Sequence, residues 1–204
     1  MVAYRSLGLA LTLMLTAFGV SACGDGGFGA SGTPTPKRGE ISLNTRFAAE
    51  FDLIDHTGAP ATDERFEGEP MLIYFGFTAC PDVCPEALGK MTATLDRLGN
   101  RATQVHPLFI TVDPKRDDPE RLRDHLAYDG RILGLTGSEE ALSAARDALN
   151  VYAAEVPLAD SAMGYTVDHQ RLFYIVDAEG APVKAVPDSM PAEDIAEILS
   201  RYIS

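Results

Sequence analysis

MLIYFGFTACPDVCPEALGK, residues 71–90, is the stretch that decides the fold. Its first part, residues 71–77, is apolar throughout, as is typical of a central strand that is covered on both faces. Cys80 and Cys84 follow, each with a proline directly after it. Pro85 suits the first turn of a helix, and the residue before a proline is disfavoured inside one. The stretch therefore predicts a strand, a loop with both thiols, and a helix capped near Cys84.

Two thiols at the start of a helix can do two kinds of chemistry. The partial positive charge of a helix N-terminus favours thiolate over thiol. Two close thiolates either form a disulfide or bind a soft metal ion. The CxxxC spacing of Cys80 and Cys84 has one residue more than the CxxC redox motif. The pair can therefore open further around an ion, while a Cys80–Cys84 disulfide remains an alternative.

The chain begins with a predicted targeting segment. Arg5 is the first charged residue, and an apolar run over residues 7–20 is followed by small residues before Cys23. This order predicts a secretory signal over residues 1–22, and the run of about 14 residues is shorter than the roughly 20 needed to span a bilayer. Because VSAC resembles a bacterial lipobox, Cys23 is expected to be lipidated, although an ordinary signal peptide with an incidental cysteine fits the same pattern.

Composition divides the remainder into a tether and one domain. Residues 23–40 are rich in glycine, serine, threonine and proline, which predicts a flexible tether. Residues 41–204 are long enough for a single domain with a full core. A net charge of −13, with 17 Lys+Arg against 30 Asp+Glu, argues against nucleic acid or anionic lipid as a partner. We therefore expect a lipid-anchored domain on the extracytoplasmic, periplasmic side of a bacterial cell membrane.

Strand and helix patterns alternate along this domain. A hairpin at the sheet edge is predicted near residues 51–58, and further strands, helices and one loop follow. The strands are expected at 71–77, 106–112, 131–135, 151–156, 171–177 and 181–186, the helices at 85–98, 117–128, 138–149 and 191–202, and an irregular loop at 158–164. This order predicts an α/β, thioredoxin-like fold, with a central mixed β-sheet flanked by helices and an N-terminal β-hairpin.

Strand topology predicts where the candidate residues meet. Right-handed crossovers should bring Cys80, Cys84 and Asp113 to the carboxyl edge of the sheet. Asp117 or Asp118 should cap the next helix, and His125 within that helix is expected at the surface.

Three segments carry a family resemblance. FTACPDVCP (77–85), TVDPKRDDPERL (111–122) and YTVDHQRLFYIVDAEG (165–180) resemble the Sco/SenC family of thioredoxin-fold copper proteins, which help to assemble the copper centre of cytochrome c oxidase. The resemblance implies that Cys80, Cys84 and His169 bind copper and that Asp113 lies in the outer shell. Ala79 departs from the pattern, because many members have histidine there.

The resemblance also implies partners and a function. The chain would deliver copper to the copper-accepting subunit of cytochrome c oxidase, after loading by a periplasmic donor or reduction by a thiol reductant. The ion would be Cu(I) or Cu(II), and Asp113 or Asp168 would favour Cu(II) if close and ionised. His169 is expected on a loop that is mobile without metal. Two alternatives stay open: a thiol–disulfide oxidoreductase with Cys80 and Cys84 as catalytic residues, and a redox or copper sensor.

Overall fold

An eight-stranded mixed sheet forms the centre of the fold. The computed structural model describes residues 35–43, 48–80, 83–159 and 161–204. The strands are β1 (Ile41–Ser42), β2 (Asp52–Asp55), β3 (Pro60–Thr62), β4 (Met71–Gly76), β5 (His106–Thr111), β6 (Leu133–Thr136), β7 (Ala153–Pro157), β8 (Tyr165–His169), β9 (Leu172–Val176) and β10 (Pro182–Pro187). The helices are α1 (Val83–Leu98), α2 (Pro119–Leu126), α3 (Glu139–Ala148) and α4 (Ala192–Leu199), with short 3₁₀ turns at Asp63–Phe66 and Gly99–Gln104.

The strand order places β4 at the centre. The order is β1-β10-β9-β4-β5-β6-β2-β3, and β4, β5 and β6 run parallel while the other pairs are antiparallel. The β2–β3 hairpin forms one edge of the sheet, as predicted. Strands β7 and β8 form a second, two-stranded sheet. The predicted α/β, thioredoxin-like fold with a mixed sheet and an N-terminal hairpin is confirmed.

The core follows from the apolar pattern. Every residue of β4 is buried, because the sheet is covered on both faces at its centre. Helix α1 buries Leu88, Met91 and Leu95, whose spacing of three and four residues places them on one face. Full burial of each such side chain contributes about 1.5–3 kcal/mol. This packing fixes the start of α1 over the carboxyl end of β4.

Helix α1 begins earlier than predicted. It starts at Val83, so Cys84 lies in its first turn and Pro85 is its third residue. The expectation that Cys84 lies at the cap, outside the helix, is therefore wrong. The first N–H groups of a helix have no partner within it, so a proline in the first turn removes no helical hydrogen bond.

The parallel strands bring two loops to one edge. Gly76 at the end of β4 pairs with Thr111 at the end of β5, so the loops carrying the cysteines and Asp113 leave the sheet side by side. Asp118 caps α2 by accepting a hydrogen bond from the backbone N–H of Arg121, 2.8 Å away. Asp117 is fully buried and contacts the cysteine loop instead of capping the helix.

Residues before β1 already contact the domain. Lys37 forms ion pairs with Asp194 and Glu197 of α4, at 3.1 and 2.7 Å. The Glu40 carboxylate, with 1% of its side chain exposed, lies 2.8 Å from the Lys184 ammonium. Both residues belong to the segment predicted as a tether.

The predicted signal peptide and Cys23 lie outside the described residues. Within the described ranges, which begin at residue 35, no helix is both long and apolar enough to cross a bilayer.

Candidate metal centre

Cys80 and Cys84 lie together at the carboxyl end of β4. Cys84 is completely buried, whereas 8% of Cys80 is exposed. Both side chains are thiols, and a hydrogen bond joins them. A turn closed by the Cys80 N–H and the Phe77 carbonyl, 3.3 Å apart, holds the loop at its start. The two sulfurs are therefore close enough to bind one ion or to be oxidised together.

A buried carboxylate fixes the loop that carries Cys80. Asp117 accepts hydrogen bonds from the Thr78 backbone N–H (2.9 Å) and hydroxyl (2.6 Å), and from the Thr111 hydroxyl (2.7 Å). Arg121 donates to the Thr78 hydroxyl from the exposed side, at 2.8 Å. Sequence reasoning missed this role of Asp117, because an acidic residue two positions before a Pro-initiated helix has the signature of a cap.

Gly76 leaves room for the Cys84 sulfur. A Cβ atom at residue 76 would lie 3.1 Å from Cys84 Sγ and 2.7 Å from Phe109 Cε2. Both distances are shorter than ordinary van der Waals contact, so a larger residue would displace the thiol or the ring. The last residue of β4 therefore helps to set the position of the inner sulfur.

His169 reaches Cys84 from the second sheet. It is the last residue of β8 and not part of a loop as predicted, and only 8% of it is exposed. Its Nε2 lies 3.8 Å from Cys84 Sγ, and its Nδ1 lies 3.0 Å from the Gln170 carbonyl oxygen. A carbonyl oxygen can only accept, so Nδ1 carries the proton of the neutral ring. Nε2 then presents its lone pair to the thiol, which is the tautomer a metal ligand needs.

Aromatic rings and a glutamine hold this imidazole in place. The rings of Tyr74 and Phe77 meet the His169 ring edge to face, with centroids 6.1 and 5.9 Å away. Gln170 binds the neighbouring strand twice: its side-chain oxygen accepts from the Tyr152 N–H at 3.1 Å, and its own N–H donates to the Tyr152 carbonyl at 3.2 Å. These bonds orient the Gln170 carbonyl that fixes the tautomer.

The protonation of the inner thiol differs from the expectation. The hydrogen bond that the Cys84 thiol donates to Cys80, together with burial, raises the pKa of Cys84 above that of an ordinary thiol. The prediction that the helix N-terminus favours the thiolate at this position is therefore wrong for Cys84. Burial also raises the pKa of the neighbouring Tyr74, with a further contribution from Cys84. The buried surroundings of Cys84 and Tyr74 disfavour the ionised form of either side chain unless its negative charge is paired.

Asp113 is connected to the hairpin that bears His169. Its Oδ1 accepts a hydrogen bond from the Tyr165 hydroxyl at 2.7 Å, and its Oδ2 forms an ion pair with Arg116. Asp113 is thus joined to the strand of His169 through Tyr165, and its outer-shell role stays a prediction. Asp168 is exposed on the opposite face of β8.

His125 is half-buried and not the surface residue that was predicted. Its ring lies 6.1 Å from that of Phe109, and burial lowers its pKa. Its Nε2 is buried and has no hydrogen-bond partner within the part of the chain that the structure describes.

The donor atoms suit a soft ion, although they do not form a closed cage. Among the described residues, no group of three or more His, Cys, Asp or Glu side chains is already arranged to hold a metal. Cys84 Sγ and His169 Nε2 are, however, at a separation that suits two ligands of one ion. An ion about 2.3 Å from the sulfur and about 2.0 Å from the nitrogen requires these two atoms to lie roughly 3.5–3.8 Å apart, and they are 3.8 Å apart.

Comparisons with known proteins identify similar chains. The model of the SCO1/SenC family matches residues 39–204. A SCO2-like protein of Rickettsia conorii is 37% identical over 163 residues, covering 78% of this chain and 80% of that protein. Bradyrhizobium japonicum ScoI, solved with copper bound, has a TM-score of 0.71 at 36% identity, covering 77% of this chain and 99% of that one. Yeast Sco1 with copper bound has a TM-score of 0.70 at 34% identity, covering 76% and 87%.

Proposed function

Because the chain belongs to the SCO1/SenC family, we propose that it is a copper chaperone. It binds one copper ion through Cys80, Cys84 and His169 and delivers the ion to the copper centre of cytochrome c oxidase. Two solved relatives at 36% and 34% identity are structures with copper bound. The copper-accepting subunit of the oxidase is the proposed target, and a periplasmic copper donor or thiol reductant acts before delivery.

One observation carries the proposal. The buried Nε2 of His169 points its lone pair at Cys84 Sγ from 3.8 Å, across 85 residues of chain. A bond from Nδ1–H to a backbone carbonyl, as to Gln170 here, is typical of metal-ligating histidines and leaves the Nε2 lone pair directed at the sulfur. The arrangement therefore supports a ligand role for His169.

The chemistry of the ligands suits copper as cargo. Thiolates prefer soft Cu(I), and imidazole binds both copper oxidation states. Two thiolates and a neutral imidazole leave a net charge of −1 with Cu(I) and of zero with Cu(II). Because both cysteines are thiols, binding must release their protons. Three ligands leave one side open, and a ligand from the acceptor can enter there and take the ion.

The test is copper binding by the full chain. We expect the reduced wild-type protein to bind one equivalent of Cu(I), and Cys84→Ala to lose it because one of two thiolates is gone. His169→Ala should bind at least about tenfold more weakly, since removing even an outer partner of a metal ligand has effects of this size.

His106→Gln is the matched control. His106 also lies beside an aromatic ring and near a charge, with its Nε2 3.3 Å from Glu69. It begins β5, however, at the edge of the sheet opposite the thiols. The control should bind copper like the wild type. Equal copper affinity in His169→Ala and His106→Gln would refute the assigned ligand set.

A thiol–disulfide oxidoreductase is the second candidate function. The hydrogen bond between the Cys80 and Cys84 side chains favours it, because sulfurs this close can be oxidised together to a disulfide. In that case the two cysteines are catalytic and reduce the copper-binding cysteines of the target. His169→Ala separates the activities: thiol exchange should persist while copper retention falls. If both fall together, the histidine serves the redox reaction as well.

The proposed location follows from the first residues of the chain. We propose that residues 1–22 are removed, that Cys23 carries a lipid, and that residues 23–40 connect a membrane anchor to the domain at 41–204. The VSAC sequence before the glycine-rich segment supports this proposal. Mass spectrometry of the mature protein should find an acylated N-terminal cysteine, and Cys23→Ser should release the protein from membranes. A mature protein that begins elsewhere would contradict the proposal.

A further inference from the structure

We propose that Asp113, Arg116 and Tyr165, which we call the Tyr165 cluster, position His169 by fixing the β7–β8 hairpin against the end of β5. The inference rests on the proposed function, because it assigns these residues to the control of a copper ligand. They are positioning residues: they act on the imidazole through the hairpin and not by contact with the ion.

The hairpin has few other attachments to the domain. Among the described strands, β7 and β8 pair with each other and with no strand of the eight-stranded sheet. The residues of β7 are exposed or half-buried throughout. In β8, only Val167 and His169 are buried. Apolar packing alone therefore holds this hairpin weakly, and a few polar contacts must define where it lies.

The Tyr165 cluster lies on the same face of β8 as the ligand. Side chains alternate along a strand, so Tyr165, Val167 and His169 all point toward the domain while Thr166 and Asp168 point away. Tyr165 is four residues before His169, about 13 Å along an extended strand. A contact at Tyr165 therefore sets the tilt of the strand that ends in the imidazole.

Tyr165 contacts Asp113 and Arg116, in the segment after β5, in three ways. Its hydroxyl donates to Asp113 Oδ1 at 2.7 Å, and Arg116 Nη1 donates to its carbonyl at 3.2 Å. The Arg116 guanidinium lies over its ring, 3.9 Å from the centroid, and pairs with Asp113 Oδ2. Asp113 has only 1% of its side chain exposed. Buried, charge-assisted hydrogen bonds of this kind are stronger than exposed ones.

The Tyr165 cluster also contacts an aromatic ring that packs against the His169 imidazole. Arg116 lies over the Phe77 ring at 5.7 Å, and the Phe77 ring meets the His169 ring edge to face. Lys115 adds an exposed ion pair with Glu155 on β7, which is the weaker kind of contact. Arg116 thus contacts both the hairpin, at Tyr165, and an aromatic ring that packs against the imidazole.

The first test is local hydrogen exchange in the metal-free, reduced full chain. Tyr165→Phe removes the bond to Asp113 but keeps the ring under Arg116. Loss of a hydrogen bond to a carboxylate should speed exchange of the amides in β7 and β8 about tenfold or more, with exchange in β4 unchanged. Arg116→Lys keeps the charge but loses the planar stacking and the bond to the Tyr165 carbonyl, and should act in the same direction.

Tyr152→Phe is the control on the same hairpin. Its side chain is 57% exposed, so we expect wild-type exchange. Equal exchange in the hairpin of Tyr165→Phe, Tyr152→Phe and the wild type would overturn the inference, and so would an equal increase in β4, which would indicate a general loss of stability.

The second test distinguishes positioning of His169 from a general effect. Tyr165→Phe should lower Cu(I) affinity about tenfold in the wild-type background and leave it unchanged in His169→Ala, because residues that act through one group are not additive. The same loss in both backgrounds would overturn the inference. If the wild type binds no Cu(I), the proposed function fails, and the exchange experiment alone then decides whether the cluster fixes the hairpin.

Discussion

Gly76→Ala should damage the site through a single methyl group. The new Cβ would lie 3.1 Å from Cys84 Sγ and 2.7 Å from Phe109 Cε2. Phe109 and Cys84 are both fully buried, so the added methyl group must displace the ring and also push the sulfur by a few tenths of an ångström. The substitution thus tests whether the end of β4 determines the position of the inner ligand.

The change in the free energy of unfolding caused by Gly76→Ala has two opposing contributions. Overpacking a filled core costs about 1–3 kcal/mol, and replacing glycine by alanine returns about 0.4–1 kcal/mol by restricting the unfolded chain. With each contribution near the middle of its range, the net loss in the free energy of unfolding is about 1–2 kcal/mol. For a domain of this size, that corresponds to a fall in Tm of roughly 2–8 °C. Displacement of the sulfur should also weaken Cu(I) binding about 10- to 100-fold.

Two other glycines provide matched controls. An added Cβ at Gly89, in α1, meets nothing within 4 Å, so Gly89→Ala should raise stability by about 0.5–1 kcal/mol and leave copper binding unchanged. An added Cβ at Gly134 would lie 2.7 Å from Leu126 Cδ1, away from the thiols. Gly134→Ala should therefore lower the Tm without weakening copper binding. A Gly76→Ala protein that is as stable as Gly89→Ala, or that binds copper like Gly134→Ala, would refute the reasoning.

Two further predictions concern buried carboxylates. In urea unfolding, Asp117→Asn should lower the free energy of unfolding by about 2–3 kcal/mol, because the amide replaces a charged acceptor of the Thr78 bonds. Asp118→Asn should change that free energy little, since asparagine caps helices as well as aspartate does. Equal effects of the two substitutions would contradict the distinction between Asp117 and Asp118. Hydrogen bonds from Arg131 lower the pKa of Asp129 to about 2. The ionised Asp129 carboxylate therefore adds about 2 kcal/mol to the free energy of unfolding; this stabilisation is present above pH 4 and is lost as the pH falls through 2. The stability gap between the wild type and Asp129→Asn should close over that range, and a gap that is constant with pH would contradict this.

The central part of the fold could be predicted because its signals are local. The apolar run of β4 and the stripe of Leu88, Met91 and Leu95 in α1 are read directly from the spacing of residues. The parallel arrangement of β4 and β5 then placed Cys84 and Asp113 at one edge. Each of these steps uses a periodicity or a handedness rule and needs no knowledge of distant contacts.

The remainder depends on contacts between distant segments. Asp117 has the sequence context of a helix cap, and only the folded chain brings Thr78 to it. His169 was expected on a loop because the residues before it, 158–164, include several small ones, yet pairing with β7 extends β8 to the histidine. The raised pKa of Cys84 likewise comes from the hydrogen bond with Cys80 and from burial, neither of which the helix-terminus argument for a thiolate included.

The division of the proposed ligands between two substructures suits the proposed task of both holding and releasing an ion. Cys80 and Cys84 come from the junction of β4 and α1, where a buried core fixes the backbone. His169 comes from a hairpin that, among the described strands, pairs only with itself. Ligands that were all fixed by the core would bind without reorganisation but would release slowly, and ligands that were all on mobile segments would lose affinity to ordering entropy. If these are the ligands, breaking the contacts that fix the hairpin would free the imidazole from the ion without unfolding the core that holds the sulfurs.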